Sequence, residues 1–331
     1  MKKGYRILFF TAGLAVFIYF ILDFGINNLI TNILKTGFWL IPVILVWLVI
    51  YILNTRAWQL IIENYGKHIS YLKLLKIHIS SSAINYVTPL LSLGGEPYRV
   101  ISTNEYIEPN VSISSTLIFN FVHILSHLFY WFVCSLLTIF ILNNNTLRYF
   151  SVILLFILGL IIFVIITGQK KGVFYCVEKI IPDIKIFGFA HKFFSKKSDR
   201  FREIDRLISS YYVGNKKSYA SAFLFEFIAR CVSAMEFYFI LMSIGYDITI
   251  FQSMYIYAAS SLILNILFFV PLETGTREAS LYYIANTLNL SSGIGIYISV
   301  VNRIREFFWI LVGLLLIQFN KKKELNLKTN Q

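Results

Sequence analysis

Arginines and glutamates stand inside apolar stretches of this chain, where a charge is hardest to accommodate. Glu96 and Arg99 close the segment NYVTPLLSLGGEPYR, residues 85–99, and Glu273, Arg277 and Glu278 lie within PLETGTREAS, residues 271–280. Glu226, Arg230 and Glu236 punctuate one apolar run, and Arg303, Arg305 and Glu306 another. Each charge costs about 2.5–3.5 kcal/mol at the centre of a lipid-embedded helix on insertion scales, so it must face protein or a water-filled cavity. Guanidinium is a planar fork that matches phosphate oxygens, which makes Arg99, Arg277 and one of Arg303 or Arg305 candidates to converge on a phosphate. The competing reading is that each pairs with a nearby carboxylate. Glu96 and Glu278 would then organise those arginines, or change protonation, since desolvation disfavours a carboxylate. Glu226 and Arg230, four apart, share a helix face, and Arg303 and Glu306, three apart, form a similar pair. Both sets read equally as structural pairs or as pathway lining.

Other chemistries are poorly served. His123 and His127 share a helical face, but HILSH lacks the glutamate of HExxH and offers no third ligand nearby, so no metal is expected. The three cysteines, Cys134, Cys176 and Cys231, specify neither a disulfide framework nor a zinc site. No G-x-x-x-x-G-K-[ST] loop and no Ser- or Cys-based nucleophile motif occurs. No cofactor is expected, and the chain is not expected to be an enzyme.

The elements that must position these residues follow from composition. Of 331 residues 57% are hydrophobic and 14% charged, against roughly 25% charged in a soluble domain, so the chain reads as an all-α polytopic membrane protein. Apolar runs near the ~20 residues of a spanning helix occupy 5–22, 38–62, 112–142, 149–167, 219–244 and 294–319. Lys2, Lys3 and Arg6 precede the first as in a signal peptide, but no small-x-small pattern follows Leu22, so a retained helix is expected. Two further stretches, near 72–97 and 250–290, are interrupted by Pro89, Gly94, Gly95 and Pro97 and by Pro271 and Gly275. The turns 89–96 and 271–277 are expected to be non-helical and to face each other across a polar cavity. Residues 1–320 form one membrane domain, and 321–331 a basic polar tail.

Charge sets the orientation. The net charge is +13, and residues 168–217 alone carry 12 Lys and Arg against 5 Asp and Glu. This long basic loop is expected in the cytoplasm, with short amphipathic helices on anionic lipid, and the total charge is not read as nucleic-acid binding. With both termini also cytoplasmic, residues 143–148 and 245–247 face outward. Six full transmembrane helices plus two re-entrant hairpins entering from opposite faces satisfy this, as do eight full spans. The first arrangement resembles an inverted repeat. Asn85 precedes Pro89 and Glu96 follows it by seven residues; Asn265 precedes Pro271 and Glu278 follows by the same seven.

Both breaks resemble motifs of the lysylphosphatidylglycerol synthase transmembrane family, also described as flippase-like domain proteins. Asn85, Pro89, Gly95, Glu96 and Arg99 match its first motif. Pro271, Gly275 and Glu278 match its second, Pro-Gly-Gly-x-Gly-x-x-Glu, with Arg277 and Ala279 in the usual surroundings and Leu272 and Glu273 replacing the paired glycines. Arg303 or Arg305 is similar to the family's late arginine. The resemblance implies lipid translocation between leaflets, with a groove for the phosphate-bearing headgroup of a phospholipid, an aminoacyl lipid or a polyprenyl-phosphate carrier. The partners implied are membrane lipids and a cytoplasmic synthase or glycosyltransferase, in a cytoplasmic (inner) membrane. The family's soluble aminoacyltransferase domain has no counterpart in these residues, so a standalone lipid-handling domain is expected. The alternatives are a membrane transferase using a lipid-linked donor, with Asp23 or Glu96 as its carboxylate, and a non-transporting partner of a lipid or glycan synthase.

Overall fold

The computed structural model describes residues 26–88, 94–141, 145–171, 198–267, 273, 275–290 and 292–328. The expected first span, Pro89, Pro271 and most of the basic loop lie outside the described residues, as do the side chains of Lys321, Lys322 and Lys323. Every described element is helical: α1 Ile26–Thr36, a single 3-10 turn Gly37–Trp39, α2 Leu40–Glu63, α3 Tyr71–Val87, α4 Gly95–Thr103 and α5 Pro109–Ile141. Then come α6 Asn145–Lys171, α7 Ser198–Gly214, α8 Lys216–Met242, α9 Ile250–Ile266, α10 Thr276–Thr287 and α11 Ser292–Lys328.

Three segments, Ile33–Glu63, Pro109–Ile141 and Asn145–Thr167, are long and apolar enough to cross a bilayer. Phe156, Leu160 and Phe163 on α6 are exposed apolar side chains, the surface that lipid requires. Helices α8 and α11, of 27 and 37 residues, also exceed the ~20 residues of a span. Their apolar runs are interrupted by charges, Glu226, Arg230 and Glu236 on one and Arg303, Arg305 and Glu306 on the other. Five of these six, all but Arg303, are buried, so the charges turn into the protein rather than toward lipid.

Helices α4 and α10, of 9 and 12 residues, rise only about 14 and 18 Å and fall short of the ~30 Å hydrocarbon core. Each is the return arm of a helical hairpin. Gly94 sits against Ile84 and Thr88, Gly95 against Ser81 and Asn85, and Arg99 reaches back to Ser81, so α4 runs back along α3. In the second hairpin, α10 packs against α9. Two expectations need correction. Pro97 does not break a helix; it lies in the first turn of α4, where a missing N–H costs nothing. Glu96 and Arg277 likewise belong to helices, because α4 begins at Gly95 and α10 at Thr276.

The chain divides into two compact units, and helices α2 and α8 each contribute to both. One comprises Met1–Ile52, Leu72–Ser102 and Ala229–Gln331; the other Leu53–Tyr71 and Thr103–Ile228. Both broken segments belong to the first unit, where α11 is the common neighbour. A Cβ on Gly295 would run into the backbone of Leu281 on α10, and one on Gly313 into Ala83 and Ile79 on α3. Ser80 donates to the Gly313 carbonyl at 3.2 Å. Small residues thus let α11 approach both hairpins closely. Ile256, Leu281, Ile284, Ile298 and Val301 fill the apolar core between α9, α10 and α11.

The second unit packs α5 against α6, with α7 lying on both. Helix α7, at the end of the basic loop, is two-faced: Ile208 and Tyr211 are buried while Glu203 and Arg206 are exposed. Its apolar face packs on protein, beside Ile118 and Phe121 of α5. Glu203 accepts a 2.6 Å hydrogen bond from Asn110, and Tyr65 donates to the Leu207 carbonyl at 2.9 Å.

Candidate functional site

The first broken segment is held by Asn85. Its Oδ1 accepts the Gly95 backbone N–H at 2.6 Å, capping the start of α4 from the end of α3, and its amide lies 3.4 Å from Glu96 Oε1. The Gly-Gly step is a packing requirement. A Cβ on Gly94 would collide with the Thr88 hydroxyl, and one on Gly95 with the Ser81 carbonyl and with Asn85 Oδ1, 2.6 Å away. Gly95→Ala is therefore expected to destabilise the protein by about 1–3 kcal/mol, the usual cost of overpacking, and to loosen α4. A thermal transition within experimental error of wild type in detergent would contradict it. Arg99, 5% exposed, donates from Nε to Ser81 Oγ at 2.8 Å. Glu96 Oε2 is buried without a hydrogen-bond partner among the described residues.

The second break is built from an uncommon backbone. Glu273 has φ 54 and Gly275 has φ 77, so both lie in the left-handed region that favours glycine. Glu273 stands where the motif carries a glycine, and holding it there costs on the order of 1–3 kcal/mol. Its side chain offsets some of that cost by pairing with Arg277, from both Nε and Nη2. Glu278 caps the following helix, accepting the Gly275 N–H at 2.9 Å. Its other oxygen accepts from Ser299 Oγ at 2.7 Å and from Arg303 Nη2 at 2.7 Å and Nε at 3.1 Å.

Helix α11 joins the two breaks. Arg277 on α10 meets Glu306 at 2.7 Å, an ion pair without hydrogen-bond geometry. Arg305 on α11 reaches Tyr86, beside Asn85, at 3.3 Å and Glu306 at 3.7 Å. Its main partner is Glu236 on α8: Nε–Oε1 is 2.9 Å and Nη2–Oε2 3.3 Å, a bidentate fork with both side chains 3% exposed. Trp47 completes this clamp, donating to Glu236 Oε2 at 2.6 Å while its ring lies 3.9 Å under the guanidinium. Four carboxylates, of Glu236, Glu273, Glu278 and Glu306, thus face three guanidiniums, of Arg277, Arg303 and Arg305. Among the described residues this cluster holds no surplus of positive charge, so an incoming anion would have to exchange with a carboxylate. The side chains of Glu273 and Glu278 are 35% and 31% exposed, whereas the Arg305–Glu236 clamp is closed to solvent.

Several expectations meet different partners. Arg303 pairs with Glu278 and Glu306 with Arg277, rather than with each other. Glu226, fully buried, accepts from or shares a proton with His123 at 2.7 Å, so the carboxylate missing from HILSH arrives from α8. Arg230, one turn further on, directs Nη1 at the Tyr257 hydroxyl, 3.4 Å away. Asn265 does not repeat the role of Asn85; it is exposed and its amide bonds back to the Ser261 carbonyl at 2.8 Å. Pro89 and Pro271 lie outside the described residues. Trp47 and Tyr86 carried no signal in the sequence, being two aromatics among many. Glu236 did, as a charge in an apolar run. Among the described residues no three metal-ligating side chains converge.

Long apolar helices, broken hairpins and buried ion pairs define a multi-pass membrane protein. The family model for the lysylphosphatidylglycerol synthase TM region matches residues 5–313, and the chain belongs to that family. Neither the curated proteins nor the solved structures contain a match to it.

Proposed function

We propose that this protein moves a lipid between membrane leaflets by handling its phosphate-bearing headgroup at the α11 cluster, while the hydrocarbon tails stay in the bilayer. The observation that carries this reading is the meeting of both broken segments on one helix, with Tyr86 against Arg305 and Arg277 against Glu306. Non-helical backbone at membrane depth is tolerated where it lines a polar path, and broken helices are how transporters build midplane sites. In this reading the headgroup phosphate replaces Glu273 or Glu278 on Arg277 and Arg303, and Arg99 extends the basic lining toward the first hairpin. The Arg305–Glu236 clamp stays closed and holds the helices in place. Exchange of one anion for another on a guanidinium keeps each arginine paired throughout, which avoids an uncompensated charge in a low-dielectric site.

The role is transport without catalysis, in a cytoplasmic membrane, on a phospholipid, an aminoacyl lipid or a polyprenyl-phosphate carrier, alone or beside a cytoplasmic synthase. Both termini and residues 168–217 face the cytoplasm, as the Lys and Arg distribution supports. Asn145→Cys is accordingly expected to react with a membrane-impermeant thiol reagent from the outer side alone. Labelling restricted to the cytoplasmic side would reverse the orientation. Reconstitution with leaflet-specific labelled lipids tests the function itself: transport moves the lipid chemically unchanged, a transferase alters it, and a recruiting partner does neither.

A further inference from the structure

A second buried ionisable pair lies away from the arginine cluster, in the unit that contains α5 and α6. His123 sits near the middle of α5, a helix long and apolar enough to cross the bilayer, and its Nδ1 is 2.7 Å from Oε2 of Glu226 on α8. Glu226 is fully buried, whereas the His123 side chain is 36% exposed. One end of the pair is thus sealed and the other is open. The surroundings are aromatic: Phe119, His123, His127 and Trp131 follow one another at one-turn intervals, with ring centroids 6.0, 5.1 and 5.7 Å apart. From α2, Trp58 packs on Phe119, and from α8, Phe227 packs on Phe129. Among the described residues His127 on α5 packs against the His123 ring, and Arg230 follows Glu226 one turn along α8.

We propose that His123 and Glu226 form a proton-binding site within the membrane, loaded through the exposed edge of His123, that couples lipid movement to a transmembrane proton gradient. With Nδ1 directed at the carboxylate, the other ring nitrogen takes a proton from water to give an imidazolium–carboxylate pair, and returns it to water when the pair is exposed to the opposite side. No other bond changes. Histidine is suited to this because its ordinary pKa, about 6.5, lies within the physiological range. A carboxylate and histidine pair inside a membrane span is the usual equipment of a proton relay. Glu236, the anchor of the Arg305 clamp, lies further along the same unbroken α8. The coupling rests on the lipid-translocation reading; the proton site itself does not.

Two measurements on the full chain test it. Nitrogen-15 NMR of histidine-labelled protein in nanodiscs, with the His123 signal assigned by its loss in His123→Gln, should show one protonation step between pH 5 and 8.5. In Glu226→Gln that step should move by at least one pH unit or vanish. A His123 signal that does not titrate, or that titrates identically in Glu226→Gln, overturns the site. In proteoliposomes containing a labelled phospholipid, a gradient of one pH unit should accelerate movement several-fold, up to about tenfold for one proton per cycle. That acceleration should disappear in His123→Gln and Glu226→Gln. Wild-type movement indifferent to the gradient overturns the coupling and leaves lipid translocation standing. No lipid movement in any condition, with the NMR step intact, overturns translocation and the coupling with it while supporting the proton site.

Discussion

Arg305→Met alone, or Glu236→Leu alone, is expected to remove about 3–5 kcal/mol of stability and most of the folded protein recovered from the membrane. The reason is desolvation. Both side chains are 3% exposed, and truncating one leaves the other charged, buried and without its fork partner. Trp47 would lose the cation over its ring as well, and Tyr86 its 3.3 Å contact. The double variant Arg305→Met/Glu236→Leu should recover most of the loss, because a buried ion pair replaced by packed apolar side chains is often neutral or better. The check is the monodisperse fraction and thermal midpoint in detergent for the two single variants and the double. Single variants within 1 kcal/mol of wild type, or a double variant no better than either, would contradict the clamp.

The breaks and the buried charges were visible in the sequence, and the contacts that join them were not. Helix breakers and charges announced both hairpins because few residue types can interrupt a lipid-compatible helix, and each that does so leaves a mark. Asn85 was legible as a motif residue, but its action as a cap on Gly95 depends on α4 folding back along α3, a long-range fact that spacing does not encode. Pro97 reads as a breaker until the start of α4 is known, and then its place in the first turn makes it harmless. The substitution of Glu273 for a motif glycine was legible as a departure. Its consequence, a left-handed glutamate tethered to Arg277, required the backbone.

Partner choice was the least legible property. The three-residue spacing of Arg303 and Glu306 suggested a pair within one helix, yet tertiary contacts with α10 direct them to Glu278 and Arg277. Local pairs at such spacing are worth only a few tenths of a kcal/mol, so packing against a neighbouring helix decides the outcome. Glu226 also meets His123, a partner on another helix that its spacing from Arg230 does not announce. The shared seven-residue Pro-to-Glu spacing of the two breaks, each preceded by an asparagine, suggested an inverted repeat. Only Asn85 points inward, so the resemblance between the hairpins lies in their helix–break–helix plan and not in that side chain.

The arginines that face partly exposed carboxylates carry the functional claim. Lysine at Arg277 or Arg303 keeps the charge and an ion pair with Glu273, Glu306 or Glu278, so the fold should survive. A point ammonium cannot reproduce the planar fork, so headgroup exchange should fail. Arg277→Lys and Arg303→Lys are each expected to slow lipid movement by at least about tenfold, the effect of losing one charge-assisted hydrogen bond of roughly 1.5–3 kcal/mol, with Arg99→Lys affected less. The corresponding alanine variants should also lose folded protein, because Glu306 or Glu278 then loses its nearest cation. The deciding measurement is the movement of a labelled phosphate-bearing lipid between leaflets of proteoliposomes, per correctly folded molecule, for wild type, Arg277→Lys and Arg303→Lys. The account predicts rapid movement of chemically unchanged lipid in wild type and a large loss in both lysine variants; wild-type rates in both, or no movement above protein-free vesicles in wild type, would contradict it.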